Sequence, residues 1–209
     1  MTSYFITGIG TGVGKTVIAA IITEALQADY WKPVQAGYAN GTDSKWLKKM
    51  LTNKTSTVHP ESYVLKLAAS PHIGAWQEGI EISLDKIADE MPVTDNILIM
   101  EGAGGLLTPL NKNEYVIDLI KKLNATVIVV SKNYLGSINH SLLTARVLQQ
   151  NEINVLGWIF NDEYLDYETE IVQWSGFPWI ASIRNLPEIN KVVIHAYAVK
   201  MKEHLNLFL

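Results

Sequence analysis

Gly8-Ile9-Gly10-Thr11-Gly12-Val13-Gly14-Lys15-Thr16 separates a short apolar run, Tyr4-Phe5-Ile6-Thr7, from a helical pattern, Val17-Ile18-Ala19-Ala20-Ile21-Ile22-Thr23-Glu24-Ala25-Leu26. Strand, glycine loop and helix in that order are the setting of a phosphate-binding loop. Glycines lack Cβ, so successive backbone N–H groups can turn inward around phosphate oxygens, and the helix that follows adds its positive end. Lys15 would then reach the terminal phosphates, and the Thr16 hydroxyl a magnesium ion. The loop is one residue longer than the usual spacing: Ile9 stands where a glycine is expected, and Gly8 precedes it.

The chain has 209 residues, enough for one sizeable α/β domain over 1–209, and no shift in composition argues for two. With 48% hydrophobic and 18% charged residues it has the make-up of an ordinary globular protein. A net charge of −4 argues against nucleic acid or an anionic membrane as a general partner. The absence of cysteine excludes disulfides, thiolate metal sites and cysteine nucleophiles. A strand begins within a few residues of Met1, which leaves no room for a signal peptide, and no apolar run approaches the roughly 18 residues of a membrane helix. A cytoplasmic location is expected.

Apolar runs alternate with helical patterns along most of the chain. Tyr30-Trp31-Lys32-Pro33-Val34 reads as one strand, followed by a helix from Asp43 to Leu51. Residues 52–83 are polar and irregular and predict loops or short helices, before a helix over Leu84 to Glu90. Asn96 to Met100 and Ala125 to Val130 are continuous apolar runs, as strands covered on both faces should be. A helix near Tyr115 to Leu123 joins them. Ser137 suits the N-cap of a long helix reaching Gln150. A strand over Val155 to Phe160, a helix around Tyr167 to Trp174, a short strand at Trp179 to Ile183 and a terminal helix from Glu188 complete the chain. This alternation predicts a doubly wound α/β fold with a mostly parallel central sheet, helices on both faces and its ligand at the carboxyl ends of the strands. Thr7, Lys32, Glu101, Ser131 and Asn161 fall at those ends.

Glu101 ends an apolar strand where phosphate-loop enzymes carry a metal-linked acid, and the glycines 102, 104 and 105 behind it suit backbone brought close to a ligand. Lys32 could neutralise charge developing on a transferred phosphoryl group. Asp43 suits either a helix N-cap or a site acid. His72 and His140 lack partners at metal-ligand spacing and read as packing or capping residues. The tyrosine and tryptophan pair at 30 and 31 reads as core.

The ordered set Gly12-Val13-Gly14-Lys15-Thr16, Lys32-Pro33-Val34, Asp43, Ser70-Pro71-His72, Glu101-Gly102-Ala103-Gly104-Gly105, Leu135-Gly136-Ser137-Ile138-Asn139-His140 and Gly157-Trp158-Ile159-Phe160-Asn161-Asp162 resembles the dethiobiotin synthetases in order and spacing. The resemblance implies a P-loop NTPase-like fold. It also implies ATP-dependent ring closure of 7,8-diaminononanoate with carbon dioxide, through a carbamate and its mixed anhydride with phosphate. By that similarity Lys15 and Lys32 are catalytic, and Thr16, Asp43 and Glu101 hold Mg2+. The nucleotide contacts would come from residues 12–17 (Gly12 through Val17), Asp43, Glu101, Gly102, Ala103, Gly104, Asn161 and Asp162, with Asn161 on the adenine edge. Ala36, Gly136, Ser137, Ile138 and Asn139 would bind substrate, the last four across a homodimer interface.

Two departures accompany the resemblance. Ala36 stands where the family usually has a serine or threonine. The late nucleotide loop, Ser182-Ile183-Arg184-Asn185, lacks the family's proline, although Pro187 follows. Among other readings, a partition-type ATPase would carry a second lysine where Gly10 stands. A GTPase would need a base-reading Asn-Lys-x-Asp, which Ser131-Lys132-Asn133-Tyr134 is not. A small-molecule kinase or regulatory ATPase shares the loop and remains the alternative.

Overall fold

The computed structural model describes residues 2–184, 186 and 188–208. Six parallel strands form the central sheet: β1 (Ser3–Gly8), β2 (Asp29–Trp31), β5 (Leu98–Glu101), β6 (Thr126–Lys132), β7 (Val155–Asn161) and β8 (Trp179–Ile183). They lie in the order β2-β5-β1-β6-β7-β8. A separate parallel pair joins β3 (Val34–Ala36) to β4 (Tyr63–Leu65).

The strands are largely apolar because both faces of the sheet are covered, and alternation sends neighbouring side chains to opposite sides. In β6, Val127 and Val129 join one core, with α4 (Leu84–Asp89), α5 (Val116–Leu123), α6 (Ser137–Gln150) and α7 (Glu168–Ser175). Ile128 and Val130 join the other, with α1 (Lys15–Leu26), α2 (Asp43–Met50) and α8 (Lys191–Leu205). All four side chains are sealed from solvent, so truncating Ile128 to alanine should cost about 2–5 kcal/mol.

The structure differs from four local expectations. The run from Tyr30 to Val34 is not one strand: β2 ends at Trp31, and β3 starts after Pro33 in the smaller sheet. Proline cannot donate to a ladder, and the Pro33 carbonyl instead accepts from Ser62 and Tyr63 N–H, which draws the chain off toward β4. That contact also gives residues 52–83 a strand, besides the short helix α3 (Pro71–Gln77). Ser137 is the first helical residue rather than the cap. Gly136, at φ 100°, takes the cap position, while Ser137 Oγ accepts from Tyr134 N–H and pairs with the Tyr167 hydroxyl at 2.7 Å. Finally, Thr42 caps α2 through its side chain on Lys45 N–H, which leaves Asp43 in the first turn and frees its carboxylate.

Candidate active site

A cleft of about 800 Å³ opens at the carboxyl ends of β1, β2 and β5, beside the point where the strand order reverses. The loop after β1 forms one wall, and Gly102, Ala103 and Gly104 after β5 form another. Ala36, Ser70 and Pro71 close the far side. Gly14 adopts φ 96°, and a Cβ there would run into the Asn161 amide, so glycine is required for both the turn and the packing.

Four charged side chains from four segments meet in this cleft. Lys32 Nζ donates to Asp43 Oδ2 at 2.5 Å and to Glu101 Oε1 at 2.9 Å. Thr16 Oγ1 donates to the same Glu101 oxygen at 2.7 Å, and Lys15 Nζ donates to Gly10 O at 2.8 Å. Both lysines are buried. Burial disfavours the Lys32 ammonium, but the Glu101 and Asp43 carboxylates outweigh it and leave its pKa raised. Lys15 responds the other way: burial, aided by the nearby Lys32 charge, outweighs the two carboxylates and lowers it to about 8. Lys32 is therefore a fixed cation, and Lys15 a buried one whose charge an anion beside it would favour.

Thr16, Asp43 and Glu101 supply hard oxygen donors within one linked cluster. That donor set fits Mg2+, which takes one or two carboxylates and completes its octahedron with water and substrate phosphates. No cluster of three or more histidine, cysteine or acidic residues suited to a metal occurs among the described residues.

Among the predicted site residues, Gly12, Gly14, Lys15, Thr16, Val17, Lys32, Ala36, Asp43, Glu101, Gly102, Ala103 and Gly104 line the cleft. Val13 is buried beside it, and its carbonyl accepts from Asn161 Nδ2 at 2.9 Å. Asp162 is not among the residues lining the cleft, and its carboxylate pairs with Lys132 at 3.2 Å. Gly136, Ser137, Ile138 and Asn139 lie outside the cleft of their own chain. Next to them His140, Leu143, Thr144 and Val147 border a second hollow of about 500 Å³ that reaches Gly8 through Thr11 on the outer side of the loop. Ser137 is fully buried, so this turn presents backbone rather than the serine hydroxyl. His72 pairs with Ser70 Oγ and His140 with the Tyr134 hydroxyl, both as local contacts. In the late nucleotide loop, Asn185 and Pro187 lie outside the described residues.

Two contributors escape the sequence reading. Gln35 Oε1 accepts from Asp43 N–H at 3.0 Å, while its Nε2 donates to Gly37 O, which ties the start of α2 to β3. Tyr30, read as core, donates its hydroxyl to Glu101 Oε2 at 2.7 Å. Burial first, and then the Glu101 charge, raise its pKa well above the usual value, so it stays a donor. Alternation in an extended segment was the available signal, since positions 30 and 32 share a face.

A family model described as an AAA domain matches residues 2–193. An ATP-dependent dethiobiotin synthetase BioD of Cytophaga hutchinsonii is 49% identical over 203 residues, covering 96% of this chain and 97% of its own. The chain belongs to the dethiobiotin synthetase family. A second member, from Christiangramia forsetii, is 44% identical with 97% of each chain covered. Among solved structures, the septum site-determining protein MinD of Pyrococcus horikoshii, complexed with Mg-ADP, aligns with a TM-score of 0.66 at 14% identity, over 98% of this chain and 96% of that one. A ParA family ATPase of Chlorobium tepidum gives 0.60 at 13%, over 99% and 91%. These two likenesses concern the fold alone, whereas the dethiobiotin synthetases are similar in sequence over nearly the whole chain.

Proposed function

We propose that this cleft carries out ATP-dependent ureido ring closure on 7,8-diaminononanoate, converting it with carbon dioxide and ATP into dethiobiotin, ADP and phosphate. One amine takes up carbon dioxide as a carbamate. A carbamate oxygen attacks the γ-phosphorus and displaces ADP. The neighbouring amine then attacks the carbonyl carbon of the mixed anhydride, and the C–O bond breaks to release phosphate. No protein nucleophile is needed, so the protein's task is to bring two anions together and offset their repulsion.

The observation that supports this reading is the convergence of Lys15, Lys32, Asp43 and Glu101 in one cleft beside the glycine loop. Loop N–H groups and Lys15 would hold the phosphates. Lys32, locked between two carboxylates, would hold its charge against the carbamate and the transferring phosphoryl group without reorganising. Thr16, Asp43 and Glu101 would hold Mg2+, which when bound neutralises charge on the phosphate oxygens. Val17, Gly102, Ala103, Gly104, Asn161 and Asp162 would complete the nucleotide site. Ala36 would face the substrate.

We further read the working unit as one domain spanning 1–209, paired as a cytoplasmic homodimer in which residues 136–139 of one protomer face the cleft of the other. The exposed backbone of that turn suits a substrate carboxylate. No helix among the described residues is long and apolar enough to cross a membrane. Sedimentation with and without substrate tests the pairing.

The activity is tested with labelled bicarbonate. Acid-stable label should appear only when diamine, Mg2+ and ATP are all present. ADP release without fixation would overturn this reading and favour a kinase.

A further inference from the structure

Glu101 accepts hydrogen bonds at both oxygens, and only one of them faces the cleft. Oε1 takes the Thr16 hydroxyl and the Lys32 ammonium, while Oε2 takes the Tyr30 phenol. Tyr30 and Glu101 are both sealed from solvent, so no water competes for Oε2. The Tyr30 backbone is pinned as well. It pairs in register with Ile99 of β5, its N–H donates to Thr57 O at 2.9 Å, and its carbonyl accepts from His59 N–H at 2.8 Å. Its ring sits in the core beneath α1, so the hydroxyl cannot follow a carboxylate that moves.

A glutamate's last torsion is broad and sets no preferred orientation by itself. The direction in which Glu101 presents Oε1 must therefore come from its partners. Thr16 and Lys32 bind the oxygen that faces the cleft, and both have other work there in the reading above. Among the described residues the Tyr30 hydroxyl alone holds the opposite oxygen. Magnesium demands near-ideal octahedral geometry, and partners that orient a ligating carboxylate typically control metal affinity about 10- to 100-fold.

We propose that Tyr30 is a positioning residue: its hydroxyl fixes the rotation of the Glu101 carboxylate and so dedicates Oε1 to the metal and phosphate side of the cleft. This rests on the reading of Glu101 as the metal-side acid. Tyr30 is fully buried and does not line the cleft, so it acts through that carboxylate.

The test is Tyr30→Phe, which removes one oxygen and keeps the ring. Calorimetric titration of ADP over a series of Mg2+ concentrations gives a readout independent of turnover. The Mg2+ concentration for half-maximal enhancement of ADP binding should rise about tenfold in Tyr30→Phe, with ADP affinity in EDTA unchanged. Glu101→Ala alone should also raise it, and adding Tyr30→Phe to Glu101→Ala should add nothing. An unchanged Mg2+ requirement in Tyr30→Phe overturns the proposal, as does an effect that persists undiminished in the Glu101→Ala background. If Glu101→Ala is itself silent, the role given to Glu101 fails first, and the two failures are told apart by which single variant shows no effect. Should Tyr30→Phe not fold, a crystal structure of the unaltered protein with Mg-ADP decides. Tyr30 bonded to Oε2 with Oε1 toward the metal supports the proposal, and a Glu101 carboxylate turned off Tyr30 overturns it.

Discussion

Glu101 and Glu24 are both carboxylates withdrawn from solvent, 1% and 6% exposed, and they differ in what holds them. Glu101 ends a strand and shares a lysine with a second acid across the cleft. Glu24 lies in α1 and is held by Thr52, Asn53 and His195, which tie that helix to the segment after α2 and to α8. One cluster brings two lysines and two acids to the cleft where a ligand enters, and the other spends its hydrogen bonds on joining elements. Burial of an acid does not mark a site. A buried cation that faces a cleft beside it does.

This contrast is open to mutation, and the largest effect is expected at the cleft. Lys32→Ala should lower kcat by about 10²- to 10³-fold in steady-state assays, as removal of a preorganised charge does elsewhere. It should also destabilise the fold by about 3–5 kcal/mol in urea titrations, because Glu101 loses its buried counter-charge. Near-normal kcat in Lys32→Ala would remove the distinction between the two clusters. Glu24→Ala should invert the pattern, with about 2–3 kcal/mol lost in the same titration and kcat within reach of the parent value.

The pH dependence of stability sharpens the comparison further. Burial pushes the Glu24 carboxyl up, but hydrogen bonds from Thr52, His195 and Asn53 outweigh it and hold it at about 2. A folded-state pKa below the unfolded value stabilises at neutral pH, and that stability is lost as pH falls from about 4.5 toward about 2. Thermal unfolding between those limits should show a steeper decline for the parent protein than for Glu24→Gln. The smallest effect is expected at Ala36, which lines the cleft without a hydroxyl. Ala36→Thr should move the KM for the diamine by less than about tenfold, the worth of one hydrogen bond.

Much of this was legible in the residues themselves. The glycine loop, the apolar strands before Glu101 and Ser131, and the placement of Lys32 and Glu101 at strand ends follow from local pattern, because a doubly wound sheet leaves few other places for them. Harder to see were contacts set by distant chain segments. Alternation puts Tyr30 on the face of Lys32, but it does not signal that the Tyr30 hydroxyl meets an acid 71 positions away. Nothing near Pro33 signals that its carbonyl will receive Ser62 and Tyr63 and so start a second sheet. The helix caps at Thr42 and Gly136 went unread for the opposite reason. Asp43 and Ser137 are good caps by type, but each is drawn into a tertiary contact that local preference does not register.

The central claim is that a carbamate formed from carbon dioxide attacks the γ-phosphorus in this cleft. It is tested most directly by running the reaction briefly with oxygen-18-labelled carbon dioxide and weighing the phosphate released. The mechanism requires one labelled oxygen to pass into phosphate when the mixed anhydride breaks. Phosphate released without label would mean that the phosphoryl group went to another acceptor and would contradict it.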